Sequence, residues 1–174
     1  ARSALGQKSA VPAVPPSDRI GLGIIGCGRS GQQWLSTLSY APYVSRVQVL
    51  SICDVDARSI KAAQPYVDRA FKGCLRTKDF REVLANSKID AVMICTPDHW
   101  HAVMAAEAIR AGKDVYCESP LSLTVREARA MASLARRYGR VVQHGMQNRA
   151  FPHYMNGYAL LHAKRLGEIK TVHV

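Results

Sequence analysis

Apolar residues first gather at Ile20, Leu22, Ile24 and Ile25, in a short run that Gly26 closes. A run with no polar face predicts a strand covered on both sides, as in a parallel sheet. The same signature returns at Val47–Cys53 (VQVLSIC) and Ala91–Cys95 (AVMIC), and in shorter form at Val115–Cys117 and Val141–Gln143. Helix-length segments separate them: Gly31–Ser39, Ala57–Gln64, Lys78–Ala85, His99–Ala111 and Thr124–Tyr138. The last is punctuated at both ends. Thr124 and Glu127 form a capping box, Val125, Ala128, Met131, Ala132 and Ala135 recur at helical spacing, and Gly139 supplies a left-handed stop.

Strand and helix in strict alternation imply right-handed crossovers. The expected fold class is therefore α/β: a Rossmann-type doubly wound parallel sheet with helices on both faces. Past Val142 the pattern weakens to one helix near His153–Ala163 and a strand-like Ile169–Val174 (IKTVHV), which needs a sheet to join. Three regions follow: an Ala/Pro/Ser-rich tail over 1–19, a dinucleotide-binding domain over 20–148, and over 149–174 a crossover helix and first strand of a second α/β domain that is cut short. In such sheets ligands bind at the carboxyl ends of the strands, which makes the residues just after each strand the ones to inspect.

Charge changes little in this picture. The net charge of +11 raises the question of a polyanionic partner. Arg126, Arg129, Arg136, Arg137 and Arg140 recur along one helix with no aromatic interleaving, the pattern of a solvated basic face, so no nucleic-acid partner is expected. No apolar run is long enough for a membrane span, residues 1–19 lack a signal-peptide core, and no membrane partner is expected. Cys27, Cys53, Cys74, Cys95 and Cys117 are odd in number and widely spaced. That spacing excludes a disulfide framework and reads as reduced, small apolar side chains, four of them at strand ends.

The chemistry sits at the strand ends. Gly26-Cys27-Gly28-Arg29-Ser30-Gly31 matches G-x-G-x-x-G after a strand and at a helix start. There Gly26 permits the tight turn, Gly28 the approach of a pyrophosphate and Gly31 close helix–sheet packing, while backbone N–H groups face the phosphates. Asp54, 23 positions past Gly31 and directly after VQVLSIC, is placed to accept hydrogen bonds from an adenosine ribose. Its carboxylate would repel a 2′-phosphate, so NAD is expected over NADP, with Arg58 leaving room for the latter. Asp56 reads as the cap of the next helix. After AVMIC comes Thr96-Pro97-Asp98-His99-Trp100-His101, in which Thr96 or Asp98 would serve as a helix cap. His99 and His101 diverge on a helix, His144, His153, His162 and His173 lack ligand spacing, and no metal is expected. Glu118-Ser119-Pro120-Leu121 follows the next strand at the same edge.

Over residues 20–174 the chain resembles the glucose-fructose oxidoreductase and inositol dehydrogenase (Gfo/Idh/MocA) superfamily. The likeness rests on GIIGCGRSG, on Asp54, on TPDHWHAVMAAEAIRAGKDVYCESPLSL and on GEIKTVHV. It implies an N-terminal Rossmann domain and a C-terminal α/β domain acting on a small carbohydrate, in a homo-oligomer when full-length. By carry-over, Gly26, Gly28, Arg29, Ser30 and Gly31 would cradle the cofactor and Asp54 its adenosine ribose. Thr96, Pro97 and His101 would line the nicotinamide side, Glu118 would lie near the nicotinamide ribose, and Asn148 would stand at the crossover. The motif's lysine position holds Ser119, a short neutral group poor at proton transfer, so hydride transfer by the usual route is expected to be impaired in this chain. The resemblance leaves open an NAD-dependent glycosidase or a non-catalytic NAD-binding protein, and a location either cytoplasmic or reached by export of the folded protein.

Overall fold

The computed structural model describes residues 18–40 and 43–173. The expected tail lies almost wholly outside them. Six strands alternate with helices: β1 Ile20–Ile25, α1 Arg29–Leu38, β2 Val47–Cys53, α2 Ala57–Ala70, β3 Leu75–Thr77, α3 Phe80–Ala85, β4 Ala91–Ile94, α4 Asp98–Arg110, β5 Asp114–Cys117, α5 Val125–Tyr138 and β6 Val142–His144. All strand pairs are parallel and the spatial order is β3-β2-β1-β4-β5-β6, the doubly wound order whose direction reverses between β1 and β4. A crevice at that reversal is the consequence, since the loops after β1 and β4 lead to helices on opposite faces of the sheet.

The continuous apolar runs have a direct cause. Successive strand side chains point to opposite faces, and here both faces are covered. Leu22, Ile24, Val49, Ile52 and Met93 pack with Leu35 and Leu38 of α1 and Ala63 and Val67 of α2. Ile25, Val92, Ile94 and Val115 pack on the other face with Val83 of α3, Met104, Ala105, Ala108 and Ile109 of α4, and Met131 of α5. Capping follows the sequence closely. The Thr124 hydroxyl accepts from the Glu127 N–H at 3.2 Å, Glu127 Oε2 accepts from the Thr124 N–H at 2.9 Å, and Gly139 ends α5 with φ +61°.

Three expectations are corrected. Strand β3 was not foreseen, because LRT at the sheet edge is three residues with two exposed positions and shows no alternation. Helix α2 crosses Pro65, where it was expected to stop. Ala63 and Val67 are fully buried on either side of that proline, and burial of Val67 alone, worth about 1.5–3 kcal/mol, offsets much of the roughly 3 kcal/mol an internal proline costs. The strand expected at Ile169–Val174 does not form over residues 169–173, and Val174 lies outside the described residues. A strand gains nothing without a neighbour to satisfy its backbone.

By contacts the chain divides into Ala1–His144 and Gly145–Val174. The second unit contains a short turn of 3₁₀ helix, Gln147–Ala150, and α6, Pro152–His162, whose Tyr154, Met155, Tyr158, Leu160 and Leu161 are all exposed. Among the described residues no helix is long and apolar enough to cross a membrane.

One buried cation bridges the segments that lead into β4 and β5. Lys113 is 7% exposed, and its Nζ donates at 2.8 Å to both Asn86 O and Ile89 O, closing the end of α3. Lys113→Met keeps the aliphatic stem and removes both donors. Asn86 O would keep the Ile89 N–H at 3.2 Å while Ile89 O loses its donor, so the unfolding free energy should fall by about 1–3 kcal/mol, read as a lower urea midpoint at unchanged slope.

Candidate cofactor site

Three backbone segments meet at the carboxyl end of β1. Gly26 has φ +97°, and a Cβ there would lie 2.5 Å from Cys95 O and 2.8 Å from Thr96 N, at the end of β4. At Gly31, a Cβ would come within 2.0 Å of Gly26 O. Neither position tolerates a side chain, so the turn and the start of α1 are set against the end of β4 by backbone contact. Gly28 differs: its φ is −68° and a Cβ would meet nothing within 4 Å. Nothing in the chain requires glycine there, and the open space is that of a cradle.

The surroundings of that cradle suit an anion. Gly28 is the cap residue of α1 and contributes no side-chain hydrogen bond, and the first turn, with exposed Arg29, holds no acid. The early N–H groups of α1 and its dipole therefore face outward without a carboxylate to answer them. Gln32 braces the turn, its Nε2 donating to Cys27 O at 2.9 Å, and the Gly26 N–H donates to Cys53 O at 2.8 Å. The Ser30 hydroxyl turns inward to hydrogen-bond the Cys95 thiol.

Asp54, half-buried at the end of β2, ties this turn to the next loop. Its Oδ2 accepts from the Cys27 N–H at 2.8 Å and its Oδ1 from the Asp56 N–H at 2.9 Å. Each oxygen keeps a further lone pair for a hydroxyl donor. Asp56 caps α2 as expected, accepting from the Arg58 N–H at 2.8 Å, and its carboxyl is held below the usual range by hydrogen bonds from Arg58. That exposed ion pair occupies the Arg58 guanidinium.

On the other side of the crevice the arrangement departs from expectation. Neither Thr96 nor Asp98 caps α4, whose cap residue is the exposed Pro97 without a side-chain bond. Thr96 Oγ1 is buried and has no hydrogen-bond partner among the described residues, a polar atom that a polar ligand would satisfy. His101 does not line the edge: it is 1% exposed, because its ring turns inward, with Nδ1 2.6 Å from Pro120 O and Nε2 2.8 Å from Thr96 O. Glu118 is half-buried at the end of β5, while Ser119 and Pro120 are exposed beyond it. The Glu118 Oε1 accepts from the indole N–H of Trp34, and Oε2 receives a weak bond from the Ser119 N–H at 3.4 Å. Trp34 in turn meets Tyr116 edge to face at 5.2 Å. Burial and the Glu118 carboxylate push the Tyr116 phenol up to about 12.

Trp34 and Tyr116 were missed from the sequence. Their only signal was an aromatic residue one turn past the glycine motif and another two positions before Glu118, in segments otherwise read as core. Asn148 is exposed in the 3₁₀ turn of the second unit. Thus the structure brings Gly26, Gly28, Arg29, Ser30, Gly31 and Asp54 together at the β1–β2 side, and Thr96, Pro97, Glu118 and Ser119 at the β4–β5 side.

All five cysteines are buried and unpaired. Burial pushes the thiols of Cys27, Cys53 and Cys117 up to about 12 and that of Cys74 to about 11, and it raises Cys95 as well. Cys27, Cys53, Cys95 and Cys117 end or follow β1, β2, β4 and β5 and present small neutral side chains beneath the crevice, whereas Cys74 precedes β3.

A backbone cradle at the reversal of a doubly wound sheet, with an acid closing β2, defines a dinucleotide-binding domain of Rossmann type. Residues 20–146 match the oxidoreductase family with an NAD-binding Rossmann fold, and the chain belongs to that Gfo/Idh/MocA family. The oxidoreductase YrbE of Bacillus subtilis is 32% identical over 87% of this chain and 42% of its own length. Inositol 2-dehydrogenase 2 of Saccharopolyspora erythraea is 30% identical over 87% of this chain and 43% of its own. The crystal structure of myo-inositol 2-dehydrogenase from Lactobacillus plantarum superposes with a TM-score of 0.75 at 23% identity, over 87% of this chain and 43% of that one. The chain spans about 43% of the length of the curated relatives it matches.

Two outcomes follow from this geometry. Gly31→Ala should cost about 1–3 kcal/mol in chemical unfolding, because Gly26 O must move, whereas Gly28→Ala should cost less than about 1 kcal/mol yet sharply weaken nucleotide binding in calorimetry. Similar losses of stability in both would contradict the assignment of their roles. The thiols add a pH effect. Burial raises them in the folded chain above the ordinary thiol value of about 9, so their contribution is complete below about pH 9 and is lost as pH rises toward 11–12. Thermal midpoints should fall steadily above pH 9, and replacing Cys27 by Ala should flatten that slope.

Proposed function

We propose that this chain forms the cofactor-holding part of an NAD-dependent oxidoreductase that exchanges a hydride with a hydroxyl of a small carbohydrate or polyol. The observation that carries the reading is the pairing of the open Gly28 cradle with the Asp54 carboxylate at the end of the adjacent strand. A bound NAD would supply a nicotinamide ring able to accept or return a hydride. The chain's own residues would do the holding: the N–H groups at the start of α1 meet the pyrophosphate, and the Asp54 oxygens accept from the adenosine ribose hydroxyls. Thr96 and Glu118 would offer polar atoms to the nicotinamide half. Inositol 2-dehydrogenases among the relatives support a polyol or sugar as substrate, and the resemblance supports a homo-oligomer for the full-length enzyme.

Preference for NAD over NADP rests on charge. A 2′-phosphate next to Asp54 would meet a carboxylate, and the guanidinium of Arg58, four positions on, is engaged by Asp56. Ser119 bears on turnover rather than binding. It is exposed beside Glu118, and a hydroxyl of ordinary acidity moves protons poorly at neutral pH where an amine of lowered pKa does so well.

Calorimetric titration tests the binding claim. NAD should bind at least about tenfold more tightly than NADP, and Asp54→Ser should narrow that ratio. Failure to bind either nucleotide sinks the reading. For turnover, NADH formation with a panel of inositols and aldoses should rise about 100-fold or more in Ser119→Lys while NAD affinity stays within about threefold. Equal rates in the two proteins would show that Ser119 does not limit the reaction.

A further inference from the structure

We infer that His101 is a positioning residue that fixes the nicotinamide half of the site without touching cofactor or substrate. The inference rests on the cofactor reading above and adds to it a residue that acts through the main chain.

His101 lies in the first turn of α4, directly beneath the loop after β4, and its side chain is the most deeply buried polar group at this edge of the sheet, at 1% exposure. Its two ring nitrogens contact carbonyl oxygens of two different loops, Thr96 O after β4 and Pro120 O after β5. Those strands are neighbours, with Ile94 paired to Cys117, so the ring spans the gap between the two loops that follow them. Above it, Pro97, Ser119 and Pro120 are exposed. A buried ring under exposed loops cannot reach a ligand, yet it sets where Thr96 and Ser119 stand. Chemistry sharpens the point. A neutral imidazole has one N–H and can donate to only one of the two carbonyls, while the protonated ring can donate to both. In either state no ring nitrogen remains for a third partner.

The adenosine half is anchored by different bonds. Gly26 N–H to Cys53 O and Cys27 N–H to Asp54 Oδ2 join β1 to β2, and neither involves His101. The two halves are thus held by separate hydrogen bonds, and that difference makes the inference testable. A ring that merely filled the core would disturb both halves equally.

The test is calorimetric titration of the protein with NAD and, separately, with ADP, which occupies only the adenosine half. His101→Phe keeps the ring and removes both nitrogens; it should weaken NAD about tenfold or more while ADP binding stays within about twofold. His101→Asn places an amide donor near the Nδ1 position and His101→Gln near the Nε2 position, so each should restore part of the lost NAD affinity. If His101→Phe does not fold, the Asn and Gln variants still decide, since each must lie between the unsubstituted protein and background for NAD while matching the unsubstituted protein for ADP. Equal weakening of NAD and ADP would overturn the inference, and so would NAD affinity unchanged in all three variants. ADP binding by the unsubstituted protein with no gain from NAD also overturns it while leaving the cradle intact, whereas binding of neither nucleotide takes down the cofactor reading itself.

Discussion

The contact on which the rest depends is made by backbone alone. At the reversal of strand order, the turn after β1 is pressed between the end of β4 and the first turn of α1 so closely that a single methyl group at Gly26 or Gly31 would overlap a carbonyl oxygen. That approach determines the direction in which α1 leaves the sheet, and so where its unanswered N–H groups point. It also brings the carboxyl ends of β1, β2 and β4 into hydrogen-bonding reach: Gly26 N–H bonds Cys53 O, Cys95 N–H bonds Ile25 O, and the Cys27 N–H bonds Asp54. Small side chains are a requirement of such a junction. Cysteine meets it at Cys27, Cys53 and Cys95, each buried within the same apolar cluster or its neighbour.

The electrostatics of the crevice follow from what is left out as much as from what is present. The first turn of α1 lacks an acid, the thiols below it are held protonated by burial, and Tyr116 is held as a neutral phenol. The half-buried carboxylates of Asp54 and Glu118, at the ends of β2 and β5, are tied down by neutral donors rather than by cations. Asp54 takes two backbone N–H groups and Glu118 takes the Trp34 indole. Neutral donors orient a carboxylate while leaving its charge uncompensated, and each oxygen retains a lone pair for a ligand hydroxyl. Asp54 and Glu118 thereby stand at the ends of β2 and β5 with oxygens able to accept further hydrogen bonds, one on each side of the reversal.

Much of this was legible in the sequence because it is encoded locally. The runs around Ile24, Val49 and Met93 mark strands buried on two faces, the capping box at Thr124 and Glu127 marks the start of α5, and the glycine spacing with Asp54 marks the cradle. What escaped has a common cause: it depends on contacts between distant segments. Trp34 meets Glu118 across 84 positions, Lys113 reaches back to Asn86, and β3 exists only because β2 offers it an edge. His101 shows the same limit within a recognised motif. Its identity and place could be read from the sequence, but the inward turn of its ring could not, because Pro120 O lies 19 positions away and arrives with β5.

Ser119 brings these points to bear on chemistry. A lysine at that position would set an ammonium beside Glu118, and the carboxylate would then have a cation to share; with serine, the indole of Trp34 is its main donor. An indole N–H supplies orientation but no charge, so the local field at the end of β5 stays negative. A negative field there favours a ligand that brings positive charge or hydroxyl donors and disfavours a second anion. The nicotinamide of oxidised NAD is cationic and its ribose carries hydroxyls, while reduction removes the ring's charge. On the reading proposed above, oxidised NAD would meet that field with a positive ring and the reduced form would not, and Ser119 would leave the proton to another group.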